Sequence, residues 1–327
     1  MRFLTPMVQH LSRPAPDVVV TRLDVLDEAT FRGTGVLDLY QELFPPNERD
    51  DPEDIVRWVL SDDIGERRYF TVNGEEISYT LDSRWFILRV AERAIGLGFF
   101  TYDYASGLLY CNYVGVQKEW RAGGMARAFY LEMISMLDEL FTQNLGVVIE
   151  VERFDRDKLE AIIGDLERTG GERRLDENEQ AEIRKFLRVS WYQKKLNYTF
   201  FLDARSGQPL SCRSPCLDPS LPRSAWAGEE ENYWLMWHPR TGTPSAVSDA
   251  GKLWRRAVEA IYVEILAKSL VAAMKKRRRR GYWDYANALV AQTLRQGTTD
   301  VSLATYLGPG DSPLLCRWRR LAIDLPI

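Results

Sequence analysis

Hydrophobic residues along the chain follow two kinds of spacing, and their alternation gives an order of elements. The β-branched run VVVTRL at Val18 to Leu23 reads as a strand. From about Glu28 to Leu43 the apolar positions take helical spacing, and the stretch ends before Pro45 and Pro46, which cannot continue a helix. A second short helix is predicted from Asp51 to Leu60, with Pro52 in its first turn, where the missing N–H costs nothing. Three strand-like runs follow: Arg84 to Ala91 (RWFILRVA), Ile95 to Tyr102 (IGLGFFTY) and Leu108 to Val116 (LLYCNYVGV). The short segments between them predict an antiparallel meander. After Gly124, MARAFYLEMISMLDELF repeats apolar residues every three or four positions and predicts a helix, and LGVVIEV, Leu145 to Val151, predicts a buried strand.

The remainder is more polar. Arg153 to about Ser190 is charged and mostly helical, broken by Gly170 and Gly171; Trp191 to Tyr198 closes a helix, and Thr199 to Leu202 reads as a strand. Ser206 to Glu231, rich in Pro, Ser, Gly and Cys, predicts a long surface loop, after which YWLMW at Tyr233 to Trp237 resumes strand character. From about Asp249 a long amphipathic helix, marked by Leu253, Ala257, Ile261, Ile265 and Leu270, runs into KKRRRR at Lys275 to Arg280. The pattern predicts an α/β domain over residues 1–248, with a mixed, mostly antiparallel central sheet flanked by helices. A basic helical extension over 249–327 would follow it.

Composition narrows the class. With 45% hydrophobic and 28% charged residues the chain is that of a folded protein rather than a disordered one. No apolar run approaches the roughly 18 residues a membrane helix needs. The N-terminal stretch is interrupted by Gln9, His10 and Arg13, so neither a membrane span nor a secretory signal is indicated and a cytoplasmic protein is expected. Of the four cysteines only Cys212 and Cys216 lie close together, and the two histidines, His10 and His238, do not complete a zinc pattern with them. No disulfide framework, metal site or histidine-based chemistry is expected. The charge of −4 is unevenly spread: from residue 250 onward there are 14 Lys or Arg against 6 Asp or Glu, which leaves the rest strongly acidic.

The segment richest in chemistry is YVGVQKEWRAGGMARAFYLEM, Tyr113 to Met133. A strand, a bend, Arg121, two glycines and a helix follow one another. Glycines let a backbone approach a ligand, helix N-terminal amides attract phosphate, and an arginine adds a charge-assisted contact. The same glycines also suit a plain turn into a core helix. The segment lacks the Gly-Lys-Ser/Thr of a Walker loop and the first Gly-x-Gly of the dinucleotide fingerprint.

Arg121, Gly124 and Ala126 resemble the acyl-CoA motif of the GNAT N-acetyltransferase superfamily, which runs Arg or Gln, two variable residues, Gly, one variable residue, Gly or Ala. The order of elements is similar too, as in bacterial members, here with a C-terminal extension. WYQKKLNY at Trp191 to Tyr198 is similar to the family's aromatic-Tyr-x-x-x-Gly-Phe segment, with Asn197 in place of Gly and Tyr198 in place of Phe. The resemblance covers about Val18 to Pro239 and implies a GNAT-like fold and transfer of an acetyl or other acyl group from acyl-CoA to an amine, with no metal. By the same resemblance Val114, Val116, Arg121, Ala122, Gly123, Gly124, Met125 and Ala126 would hold acyl-CoA. The backbone amide of Val116 would polarise the thioester carbonyl where the fourth strand parts from the fifth, and Tyr192 would protonate the departing sulfur. For the base we single out Glu150, with Glu152 as its alternate, near the end of the LGVVIEV strand. The acceptor would be a small-molecule or peptide amine, and the acidic body favours a cationic one.

Two features of the tail suit other readings. Lys275 to Arg280 fits a solvated helix end, or contact with nucleic acid, an anionic lipid surface or an acidic partner, with Tyr282, Trp283 and Tyr285 nearby as stacking groups. The GNAT-like part would then be a catalytically degenerate scaffold. The stripe Leu253, Ala257, Ile261, Ile265 fits packing on its own domain or a homodimer.

Overall fold

The computed structural model describes residues 18–23, 27–44, 49–60, 68–72, 75–216, 223–226, 231–240, 249–273, 280–296, 300–307 and 313–321. Strand β1 (Val18–Leu23) leads into three short helices, α1 (Glu28–Gly33), α2 (Val36–Leu43) and α3 (Pro52–Val59). The single helix predicted over 28–43 is two, because the chain turns at Thr34 and Gly35. Asp27 caps α1, its carboxylate accepting from the Thr30 N–H at 2.7 Å. A hairpin of β2 (Arg68–Val72) and β3 (Glu75–Tyr79), not expected from the sequence pattern, precedes the meander β4 (Leu81–Val90), β5 (Arg93–Asp103) and β6 (Leu108–Val116). Helix α4 (Met125–Leu140) then crosses to β7 (Gly146–Glu152). The charged stretch that follows is α5 (Arg156–Arg168) and α6 (Glu177–Leu196), the latter opened by a capping box between Asp176 and Glu179. The chain continues through β8 (Thr199–Asp203), β9 (Ser211–Ser214), α7 (Arg223–Trp226), β10 (Glu231–Pro239), α8 (Ala250–Ala273), α9 (Arg280–Gln296), β11 (Val301–Ala304) and α10 (Pro313–Leu321).

These strands form one mixed sheet in the order β1-β4-β5-β6-β7-β10-β8-β11, with β9 also paired to β10. Neighbours are antiparallel except β6 and β7, which are parallel because α4 carries the chain back between them. On one face α4, α5, α6 and α10 cover Phe100, Tyr102, Leu109, Cys111, Val147 and Ile149. Gly98 lets α4 come close, since a Cβ there would collide with the Met133 thioether. On the other face α1, α2 and α3 cover Trp85, Ile87, Leu97 and Phe99, while α8 and α9 cover Leu81, Leu108, Val148, Phe201 and Leu235.

The division at residue 248 does not describe the packing. Strand β11 is part of the main sheet, paired with β8, and Leu253, Ala257 and Ile261 of α8 are fully buried within the chain's own core. That burial removes these three residues as a surface for a second copy. Tyr282 and Tyr285 are likewise engaged: the Tyr282 hydroxyl donates to the Cys216 carbonyl at 2.8 Å, and the Tyr285 hydroxyl accepts from the Cys216 N–H at 3.2 Å. Lys275 to Arg279 lie outside the described residues, and Arg280 opens α9. The predicted loop over Ser206 to Glu231 contains β9 and α7, and its Cys212 and Cys216 are buried, which anchors it to the α8 side of the sheet. Among the described residues no helix is long and apolar enough to cross a membrane, and no group of three or more His, Cys, Asp or Glu is placed to hold a metal ion.

Candidate active site

Strands β6 and β7 are paired only at Leu109 with Val147 and at Tyr110 with Val148; beyond these residues they part. The direction of the freed β6 backbone follows from its pairing with β5. The Gln117 N–H donates to the Ile95 carbonyl at 2.8 Å, so antiparallel alternation makes Val116 opposite Gly96, and Val114 opposite Gly98, pairs without mutual hydrogen bonds. The N–H groups of Val114 and Val116 therefore turn away from β5 and into the splay. A bulge sets this phase. Phe99 faces Tyr113 and Phe100 faces Cys111, which leaves Asn112 as the extra residue and puts Asn112 and Tyr113 in succession on the α8 face.

Past Val116 two single 3-10 turns, Lys118–Trp120 and Ala122–Gly124, lead into α4. Gly123 (φ 71°, ψ 9°) and Gly124 (φ 84°, ψ 6°) both take the left-handed conformation that L side chains avoid, and no atom lies within 4 Å of a Cβ built on either. Helix α4 has no side-chain cap, and its first turn carries no acidic residue. Its leading N–H groups thus retain their capacity for an anion. Met125 and Ala126 pack, partly buried, on the core of the α4 face. Arg121 is half-buried, and its Nε donates to the Val116 carbonyl at 2.7 Å, tying the turn to the strand end. Burial first, then the nearby charge of Arg188, lower the affinity of Arg121 for its proton, against an opposing contribution from Glu119. Two guanidinium groups thus share the rim of the splay beside an open helix end.

Tyr192, in the last turns of α6, lies on the α4 face among Tyr130, Trp191 and Tyr198, with ring centroids 6.5, 5.1 and 5.4 Å away. Burial, reinforced by Cys111, pushes its phenol well above the usual range, with Arg188 opposing. Its hydroxyl makes no hydrogen bond to the described residues, whereas the Tyr130 and Tyr198 hydroxyls bond to each other. Asn197, where the family segment has Gly, takes the left-handed φ of 57° as the C-cap of α6, which asparagine tolerates.

Glu150 lies on the opposite, α8 face. The Tyr110 hydroxyl donates to its Oε2 at 2.7 Å. Burial, with the charges of Glu150 and Glu264, holds the Tyr110 phenol far above its ordinary value. Glu150 also lies beside Cys212, whose thiol is pushed well up first by burial and then by that charge. The alternate base, Glu152, is ion-paired with Arg188 at 2.8 Å and Lys185 at 3.9 Å. Both of these partners belong to α6.

The structure thus brings Val114, Val116, Arg121 to Ala126 and Tyr192 to the α4 side of one splay, with Glu150 across the sheet from them. Sequence reasoning missed Arg188, although it stands one helical turn before Tyr192. It also missed Asn112 and Glu264; a single carboxylate inside the apolar run AIYVEIL was the available signal for the latter.

The fold and this site define a mixed α/β protein with an open, amide-lined gap between two parallel strands and an anion-receptive turn at its mouth. The chain is similar in structure to a GNAT-family N-acetyltransferase of Escherichia coli solved with CoA, at 15% identity and a TM-score of 0.30 over 44% of this chain and 67% of that one. A second similar structure is a GNAT-family acetyltransferase of Bacteroides thetaiotaomicron, at 16% identity and a TM-score of 0.37 over 70% of this chain and 90% of that one. A third is the aminoglycoside 6'-N-acetyltransferase of Enterococcus faecium, at 10% identity and a TM-score of 0.37 over 69% and 99%. No family model and no curated protein matches the chain.

Proposed function

We propose that the chain is an acyl-CoA-dependent N-acyltransferase of GNAT type that moves an acetyl or other acyl group to a small-molecule or peptide amine by direct attack in a ternary complex. The observation that carries this reading is the splay, with the Val114 and Val116 N–H groups turned into a gap whose mouth is a double left-handed glycine turn and an uncapped helix end. A long, flexible thioester with an anionic pyrophosphate fits such a slot. Acyl-CoA supplies an acyl group already activated as a thioester. Arg121, Arg188 and the first amides of α4, with the backbone of Ala122, would bind the anionic part, and Gly123 and Gly124 leave room for it. The Val116 amide, aimed into the gap, would donate to the developing oxyanion.

Two proton transfers remain. Tyr192 keeps its proton across the neutral range, and its hydroxyl is uncommitted among the described residues, which suits a donor to a departing thiolate. Glu150 would accept the proton of an amine that approaches from the α8 face, with Tyr110 orienting the carboxylate. The carboxylates there favour a cationic acceptor. Calorimetric titration with acetyl-CoA and with free CoA tests the reading: micromolar binding of both supports it, and no binding of either overturns it.

A further inference from the structure

The strand that opens the splay is bonded to a residue far along the chain. Asn112, the bulge residue of β6, sits one residue past the point where β6 and β7 separate at Cys111. Its side-chain amide is held from both ends: Oδ1 accepts from the Thr101 hydroxyl at 3.0 Å, and Nδ2 donates to Glu264 Oε1 at 2.5 Å. The Ser83 and Thr101 hydroxyls lie 3.3 Å apart and extend the chain of polar contacts across β5 to β4. Thr101 and Glu264 are each 1% exposed, so water does not compete for these bonds. Glu264 comes from α8, 152 residues beyond Asn112.

The bulge at Asn112 sets a phase. Without the extra residue at 112, strand alternation would put Tyr113 and Gly115 amides into the gap and turn Val114 and Val116 toward β5. With it, Val114 and Val116 face the gap, their side chains pack under the α4 face, and Tyr113 stands on the α8 face, where its hydroxyl donates to Asp50 Oδ2 at 2.9 Å. A bulge interrupts the ladder and needs other contacts to hold it. Here a buried carboxylate takes the Asn112 amide in a charge-assisted bond.

We propose that Glu264 is a positioning residue for acyl transfer: through Asn112 it holds the β6 bulge and so aims the Val116 amide at the thioester carbonyl. This rests on the acyl-CoA reading above. It also gives the C-terminal quarter of the chain a part in the site, though Glu264 touches no reacting atom.

The test is difference infrared spectroscopy of acetyl-CoA labelled with carbon-13 at the carbonyl, bound to the full-length protein, with calorimetry alongside. In the unaltered protein the carbonyl band should move to lower frequency than in water, reporting a hydrogen bond from the splay. Glu264→Ala should abolish that shift while acetyl-CoA affinity stays the same, because the anion cradle is on the other face. Glu264→Gln, whose amide oxygen still accepts from Asn112, should restore the shift. Should Glu264→Ala not fold, Asn112→Ala breaks the same link from the strand side and should abolish the shift equally. A full shift in either alanine variant overturns the proposal, as does an unshifted band in the unaltered protein that binds acetyl-CoA. Failure of the unaltered protein to bind acetyl-CoA at all is a different result: it overturns the acyl-CoA reading and this proposal with it.

Discussion

The two faces of the sheet differ most where β6 leaves β7. On the α4 face the splay is lined by Val114, Val116, Cys111 and a cluster of tyrosines, with cationic side chains kept to the rim at Arg121 and Arg188. On the α8 face β6 carries Tyr110, Asn112 and Tyr113, which bond to Glu150 of β7, to Glu264 and to Asp50 respectively in a polar network. Strand β6 contributes to both linings, and its bulge sets which of its side chains face which way. The lesson is a division of labour: positive charge and open amides gather where an anion would enter, and carboxylates gather where an amine would approach.

The strongest way to break the comparison is to remove one side. Truncation after residue 248 deletes α8, α9, β11 and α10, and with them the buried Leu253, Trp254, Ile261, Tyr262, Leu289 and Val290. Each large buried side chain stabilises by about 1.5–3 kcal/mol, so these six together are worth roughly 9–18 kcal/mol, as much as the whole of the roughly 5–15 kcal/mol by which a folded chain is favoured over its unfolded state. The truncated chain should show no cooperative thermal transition by circular dichroism. A sharp transition would mean that the α8 face is a docked appendage.

Next in size is an alteration confined to the mouth of the α4 face. Gly124→Glu places a negative side chain at a left-handed position over an anion cradle. Acetyl-CoA binding by calorimetry should fall by more than ~100-fold, equivalent to about 2.7 kcal/mol. Unchanged affinity would mean that the turn has been misread. Tyr192→Phe is expected to be milder in a different way: binding persists, and turnover against a panel of amines drops by roughly 10²-fold, the lower end of the range for a lost proton donor. A fall in affinity without a fall in turnover would reassign Tyr192 to packing.

Much of this was legible in the residues, and the illegible part has a physical reason. Helical and strand periods marked the meander, with β6 read to both of its ends, and the Gly-Gly pair before an apolar helix marked the turn. LLYCNYVGV carries no mark of its bulge, because Asn112 is fixed by Thr101 one strand away and by Glu264 on α8. The stripe on α8 announced burial but not its partner, so the tail read as an appendage although β11 joins β8. Cys212 and Cys216, in a segment that composition marks as loop, are held by tertiary burial that local propensity does not contain. Periodicity reports a face; what meets that face is settled by contacts far away in sequence.

Alkaline pH acts on both faces at once. Tyr130, Tyr192 and Tyr198 on one side and Tyr110 and Tyr113 on the other all hold their protons above the ordinary value of 10.0, in each case chiefly through burial. Above pH 10 the unfolded chain has therefore released protons that the folded chain keeps. The unfolded state binds fewer protons, and stability must fall as pH rises. It is complete below pH 10 and is lost beyond it, by up to about 1.4 kcal/mol per pH unit for each tyrosine. Denaturant titrations at increasing pH, with phenolate absorbance followed in parallel, should show ionisation coincident with unfolding. Tyrosines that ionise in the folded protein first would show that one face is more open than the other.

The smallest expected effect discriminates most finely. Gly123 is left-handed with open space around its Cβ position, so Gly123→Ala meets no steric neighbour and suffers only the backbone cost, about 1–2 kcal/mol. If the glycine serves the turn alone, the melting temperature drops by several degrees and acetyl-CoA affinity is unchanged. If its open side is where the anion lies, the methyl group also crowds the ligand, and affinity falls by roughly tenfold, or 1.4 kcal/mol, on top of the stability loss. Gly207→Ala provides the control, since it too replaces a left-handed residue with open space around its Cβ position, in the turn between β8 and β9. It should lower stability by a comparable amount and leave affinity alone. Equal affinity in the two variants would assign Gly123 to folding; a loss in Gly123→Ala alone would assign it to the cradle and confirm that the α4 face is the side from which the anion enters.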